Sequence, residues 1–215
     1  MSGTPIIRMV FAVTITAIAA AACGIGTDSD PRALPVTTST TTTEAPGSTG
    51  PEKFNLYFVQ ADSLVPVARQ IPARTPTAVI ESLLVAPDES EGTGLSSSIP
   101  AATRLLGLLT VDGLVEVDLS EDFEDVVGPG RSRAIGQMVM SVTALEEIDG
   151  VRFSIEGDPI DVNSLDPERG IVSVVDACDY FDLLAEPQAE DLELSFAQRT
   201  VLDLRREDLR QQCNL

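Results

Sequence analysis

The dipeptide Asp112-Gly113, set between the apolar runs Leu105–Val111 and Leu114–Asp118, constrains the fold of this chain more than any other feature. A two-residue Asp-Gly connection takes positive φ at both positions and matches the twist of paired strands, so it specifies a tight antiparallel hairpin. Upstream, the alternation of 54–59 (FNLYFV) predicts a strand with Phe54, Leu56 and Phe58 on one face. Thr75-Pro76 then reads as a helix start, a capping residue followed by a Pro whose missing N–H is not needed there. Val79, Ile80, Leu83 and Leu84 supply that helix's apolar face, Pro87 stops it, and 88–98 is a polar loop rich in Gly and Ser.

Downstream of the hairpin, 120–133 is an acidic stretch with Gly and Pro, expected as loop. Ile135, Met138, Val139, Val142 and Leu145 recur at helical spacing and predict a second amphipathic helix. Asp149-Gly150 turns into a strand of Val151, Phe153 and Ile155, and Gly157-Asp158-Pro159 turns again into Ile160 and Val162. The expected class is α+β, a largely antiparallel sheet with two helices packed on it. A C-terminal strand-helix extension follows. Ile171–Val175 reads as a buried strand, and 190–212 as a helix carrying Leu192, Leu194, Val201, Leu202 and Leu209, with surface pairs Glu207–Arg210 and Asp203–Arg206.

The N-terminal part obeys different rules. One basic residue, Arg8, precedes the apolar run Met9–Ala22, which is too short to span a bilayer and suits a signal-peptide core. It ends in Ala20-Ala21-Ala22-Cys23-Gly24, which resembles a bacterial lipobox, with Ala20 where Leu is usual. Lipidation at Cys23 is the expectation, and an ordinary signal peptide cut nearby is the alternative. Between Gly24 and Pro51 no apolar periodicity exists, and 37–43 is an unbroken run of Ser and Thr. Such a stretch reads as a flexible tether of roughly 30 Å reach. The expected organisation is therefore a signal peptide (1–22), a Thr/Pro-rich tether (23–52), an α+β domain (53–163) and the extension (164–215).

The block from Leu56 to Val162 resembles a GerMN domain, the sporulation and spore-germination domain of bacterial envelope lipoproteins. The matching pieces run Tyr57-Phe58-Val59, Leu64-Val65-Pro66-Val67 with Arg69, Leu83-Leu84 before Ala86-Pro87, Gly94-Leu95 and Ser98-Ile99-Pro100. They continue with Thr103, Val117-Asp118-Leu119-Ser120, Gln137-Met138-Val139, Thr143, Gly150-Val151 and Gly157. Ala86 departs from the usual Gly before the Pro. The resemblance implies an α+β fold, an extracytoplasmic setting and, by analogy with ring-building modules of envelope-spanning assemblies, association with another envelope protein.

Three Cys are present. With Cys23 lipidated, Cys178 and Cys213 remain as an even pair in an oxidising compartment, expected as a disulfide that staples the C-terminal helix to the strand before it; two free buried thiols are the alternative.

Composition narrows the chemistry. There is no His, which removes every Ser-His-Asp or Cys-His scheme and all His-ligated metal sites. Lys53 is the sole Lys, no phosphate-binding or dinucleotide fingerprint occurs, and no Cys-x-x-Cys is present. No catalytic, cofactor or metal residue is expected. The run Asp118, Glu121, Asp122, Glu124 and Asp125 could ligate Ca²⁺, but its spacing is not that of an EF-hand, and a solvated, helix-capping loop accounts for it. The net charge is −20, and removing 1–22 with its single charge, Arg8, gives −21. Nucleic acid is a poor partner for such a chain. The absence of Trp argues against a sugar-stacking cleft. The expected function is a non-catalytic, lipid-anchored binding or assembly module on the outer face of the cell membrane. Its alternatives are an accessory factor of peptidoglycan and a cation- or ligand-binding envelope lipoprotein.

Overall fold

The computed structural model describes residues 49–215; Cys23, the signal peptide and nearly all of the tether lie outside them. β1 (Thr49–Gln60) and β2 (Ser63–Ala73) form a long antiparallel hairpin where the sequence suggested a single strand at 54–59. Its turn is Ala61-Asp62, both at positive φ (46° and 69°), a conformation that Asp-Gly or Asn-Gly would have advertised and Ala-Asp does not. Pro66 inside β2 further disguised the strand. From Leu56 to Gln60 β1 is buried on both faces, because Tyr57 and Val59 are buried as well as Leu56 and Phe58.

α1 (Pro76–Leu84) starts where Thr75-Pro76 predicted, with the Thr75 hydroxyl accepting from the Ala78 amide at 3.3 Å. β3 (Leu105–Val111) and β4 (Leu114–Leu119) form the hairpin, with Asp112 and Gly113 at φ 48° and 77°. The stretch expected as loop at 120–133 holds a 3₁₀ helix (Glu121–Asp125) and the first turns of α2 (Gly128–Val142). β5 (Gly150–Ile155) pairs with β4 in parallel, α2 being the crossover, and β6 (Asp158–Ile160) pairs antiparallel with β5. The strands are thus divided among a two-stranded sheet β1-β2, a mixed sheet β3-β4-β5-β6, and a small pair formed by β7 (Val162–Asn163) and β8 (Ile171–Val172).

α2 is not amphipathic. Every residue from Ala134 to Val142 is buried, since the helix packs along β1 and also touches α1 and β5. Two of its buried side chains complete the open edge of β1. Ser141 Oγ accepts from the Tyr57 amide at 2.9 Å, and Gln137 Nε2 donates to the Tyr57 carbonyl at 3.2 Å while its Oε1 accepts from the Ser98 amide at 2.7 Å. The backbone groups of Tyr57 that no strand reaches are thereby satisfied by a helix. Leu145 falls beyond the end of α2.

The C-terminal extension shares the core of the domain: Tyr180, Leu184, Leu202 and Leu209 belong to the same apolar cluster as Leu56 and Met138. The buried strand expected at 171–175 shrinks to β8, where Ile171 is exposed, and a single antiparallel bridge of buried Val175 to Val151. The helix expected from 190 begins at Phe196, because Ser195 and Gln198 form a capping box that fixes its first turn; α3 spans Phe196–Cys213. Glu207 and Arg210 approach to 3.9 Å, as their spacing suggested. Arg206 does not pair with Asp203. It is buried, stacks on the Phe181 ring at 4.5 Å, donates to the Leu184 carbonyl at 2.7 Å and pairs with Glu186. Cys178 and Cys213 are joined in a disulfide with Cα atoms 5.7 Å apart, tying the end of α3 to a second 3₁₀ helix (Cys178–Leu183) rather than to a strand.

Candidate functional site

A groove of about 610 Å³ opens between the start of α2 and the β7–β8 pair. One wall follows from the sequence 127–133. Gly128 adopts φ 58°, which lets the chain turn sharply into the helix, and Pro129 occupies the first turn, where its missing N–H is no loss. Pro129, Arg131, Ser132, Arg133 and Ile135 face the groove. Val127, just outside the helix, is 73% exposed.

The opposite wall carries Asp161, Val162, Asn163, Leu165 and Ile171, with Leu183 also lining the groove. This wall is pinned from behind by the buried carboxylate of Asp179. Asp179 accepts from the Ser164 hydroxyl, from Arg169 Nη1 at 2.5 Å and from the Asp176 amide at 2.8 Å. The Tyr180 hydroxyl donates to the Asn163 carbonyl at 3.0 Å. Burial, aided by the neighbouring Asp179 charge and opposed by Arg169, pushes the Tyr180 phenol far above its ordinary range, so it stays a donor. The wall is therefore a built surface rather than a loose loop.

The groove combines an apolar lining with the charged side chains of Arg131, Arg133 and Asp161. Arg133 Nη1 lies 3.2 Å from Asp62 Oδ1, and Arg131 stacks over the Phe123 ring at 5.3 Å. Ile171 stands 74% exposed at the rim. Such a surface can hold an extended segment that offers apolar side chains to the lining and a carboxylate to the arginines. Sequence reasoning missed it because 120–133 read as loop; the signal was Gly128-Pro129 directly ahead of two arginines.

The residues singled out in the sequence fall elsewhere. Cys23 is outside the described residues. Asp118 accepts from the Ser154 hydroxyl and the Gly157 amide, each at 2.9 Å, and Asp122 accepts from the Ser120 hydroxyl at 2.8 Å. Among the described residues no three carboxylate or thiol side chains gather as a metal site would require. No helix among them is long and apolar enough to cross a membrane.

The fold is that of an α+β module whose central helix completes a sheet edge and whose start forms one wall of a groove. Residues 55–161 match the family described as Germane, sporulation and spore germination, and through this domain the chain belongs to that family. Among solved structures, the tandem GerMN domains of the sporulation protein GerM from Bacillus subtilis are 19% identical, with a TM-score of 0.49, over 60% of this chain and 48% of that one. The chain thus spans about half the length of that structure. The first GerMN domain of the same protein is 18% identical, with a TM-score of 0.43, over 58% of this chain and 95% of that one. A candidate lipoprotein from Clostridium perfringens is 18% identical, with a TM-score of 0.42, over 66% of this chain and 99% of that one. No curated protein is significantly similar to the chain.

Proposed function

We propose that this protein is a lipid-anchored module of the bacterial cell envelope, held to the membrane through Cys23, that binds another envelope protein and performs no turnover. The observation that carries the binding reading is the groove between α2 and β7–β8, apolar within, arginine-edged and rigidly backed. Its occupant is an extended segment with apolar residues and at least one carboxylate. The family's association with sporulation and spore germination is consistent with an envelope role. The anchor reading rests on the lipobox-like Ala20-Ala21-Ala22-Cys23 and the tether behind it.

Capture from detergent-solubilised membranes tests the reading. The parent chain is expected to retain a defined protein that is lost when Arg131→Glu and Arg133→Glu are combined. Retention of cell-wall fragments alone, or equal capture by the charge-reversed variant, would contradict it.

A further inference from the structure

β3 ends the mixed sheet, and among the described residues no strand lies on its far side. Its seven residues, Leu105–Val111, carry no charge although the chain's net charge is −20. Leu106, Leu109 and Val111 are 45%, 57% and 52% exposed. Among the described residues no backbone hydrogen bond from outside the hairpin reaches this strand. A long, apolar, uncharged edge is a template for another strand, and soluble proteins ordinarily block such edges with charge or Pro. Here the one irregularity is a register shift between Leu105 and Gly107, which leaves the rest of the strand regular.

The turn fixes which groups face the open side. With Asp112 and Gly113 both at positive φ, Val111 and Leu114 form the closing hydrogen-bonded pair. Counting back by twos, Leu109 and Gly107 also bond to β4, so Leu108 and Thr110 direct their amides and carbonyls outward. Leu108 and Thr110 lie opposite Val117 and Val115, which are buried, so Gly107, Leu109 and Val111 occupy the outer face.

We propose that this edge pairs with the same strand of a second copy of the chain, antiparallel and centred on Leu108, joining two mixed sheets into one. In that register Leu108 lies opposite Leu108, and Leu109 covers the gap over Gly107. The charges select the second copy over a foreign strand. Arg104, just before β3, has a 71% exposed side chain whose carboxylate neighbour, Asp122, is 3.9 Å away, and exposed Asp112 sits just after β3. The twofold that centres Leu108 also brings Arg104 of each copy, beyond the register shift, toward the Asp112 end of the other, two opposite-charge contacts from one operation. A slip of two residues loses both. This surface and this partner are separate from the groove, and the inference does not rest on it.

Cysteine trapping in full-length protein tests the register. Gly107→Cys and Leu109→Cys chains, differently tagged and co-expressed, would place their Cα atoms ~4.5 Å apart across a non-hydrogen-bonded pair, within disulfide range. Like positions would stand about 7–8 Å apart, too far to bridge. Both variants should fold, because a Cβ at Gly107 meets only Asp118 Cβ at 3.7 Å and Leu109 is mostly exposed. Mild oxidation of membranes is expected to give a cross-linked dimer from the mixture and none from either variant alone. Adding Arg104→Glu to both chains should lower the trapped fraction several-fold. The proposal is overturned if the mixture stays uncross-linked while both variants melt like the parent. It is equally overturned if single-variant samples cross-link as well as the mixture, or if Arg104→Glu leaves the yield unchanged.

Discussion

Arg69 and Glu91 meet in a two-pronged ion pair, Nε to Oε1 at 2.5 Å and Nη2 to Oε2 at 2.6 Å. The same guanidinium donates to the carbonyls of Ser82 (2.7 Å), Val85 (2.6 Å) and Ala86 (3.0 Å) and stacks on the Phe58 ring at 4.5 Å. Arg69 thus caps the C-terminus of α1 from β2, and Glu91 fastens the following loop to it. The hydrogen bonds from Arg69, more than any other cause, hold the Glu91 carboxyl below its ordinary range, with burial opposing. A carboxylate lowered in the folded state contributes stability above its unfolded value, about 4.3, and loses it as pH falls through the folded value. Glu91→Gln should therefore melt several degrees below the parent at pH 7. That gap should close as the pH drops below about 4. A gap that is constant with pH would show that the charge of Glu91 contributes nothing.

Gln137 and Ser141 stabilise β1 from α2, so their loss should be costly for exposed-looking polar residues. Ser141→Ala strands the buried Tyr57 amide, and Gln137→Met strands the Tyr57 carbonyl and the Ser98 amide. Each buried group left unpaired costs about 1–3 kcal/mol, so Gln137→Met should lose more than Ser141→Ala in urea unfolding. Equal and small losses would mean that β1 does not depend on the helix for its edge.

The Asp112-Gly113 turn makes a sharper backbone prediction. Gly113 is at φ 77°, and a Cβ there would sit 2.6 Å from Asp149 Oδ2 and 3.0 Å from the Glu147 carbonyl. Gly94, at φ 69°, has open space around it. Gly94→Ala should cost about 1–2 kcal/mol from the left-handed conformation alone. Gly113→Ala should cost more, and denaturant melts of the two variants check the order.

How much of this was legible in the sequence depended on whether local chemistry decided the structure. The β3–β4 hairpin and the start of α1 were readable because Asp112-Gly113 and Thr75-Pro76 carry their own geometry. The β1–β2 hairpin was not, because Ala61-Asp62 is held at positive φ by the strands it joins rather than by its own preference. α2 read as amphipathic because Gln137 and Ser141 are polar; only the tertiary structure puts them inside, on Tyr57. Arg206 looked like a surface partner of Asp203 for the same reason, until Leu184, Glu186 and Phe181 enclose it. The groove needed two segments some thirty residues apart in sequence, and no periodicity joins 128–135 to 161–171.

The Cys178–Cys213 link closes a loop with a sequence separation of 35 between the second 3₁₀ helix and the end of α3. Replacing both residues by Ser should destabilise the protein by about 3–4 kcal/mol on chain-entropy grounds. Mass spectrometry of the protein from cells under non-reducing conditions checks the bond itself, and denaturant unfolding of the double variant checks its contribution.

The anchor has a separate readout. Cys23→Ala should release the protein from the membrane or leave its precursor uncleaved, and fractionation of cells separates these outcomes from the parent's behaviour. A normally processed form still held in the membrane would remove Cys23 from the account.

The central claim, that the α2 groove holds another envelope protein, is tested most directly by a photo-cross-linking residue placed at Ile171 of the full-length chain in intact cells. Ile171 stands at the groove rim and is 74% exposed, so the probe reaches whatever occupies the groove without disturbing the core. Illumination is expected to yield one discrete adduct with a second envelope protein, while the same probe at Val85, which is also exposed but away from the groove, yields none. Absence of an adduct at Ile171, or the same adducts from both positions, would contradict the claim.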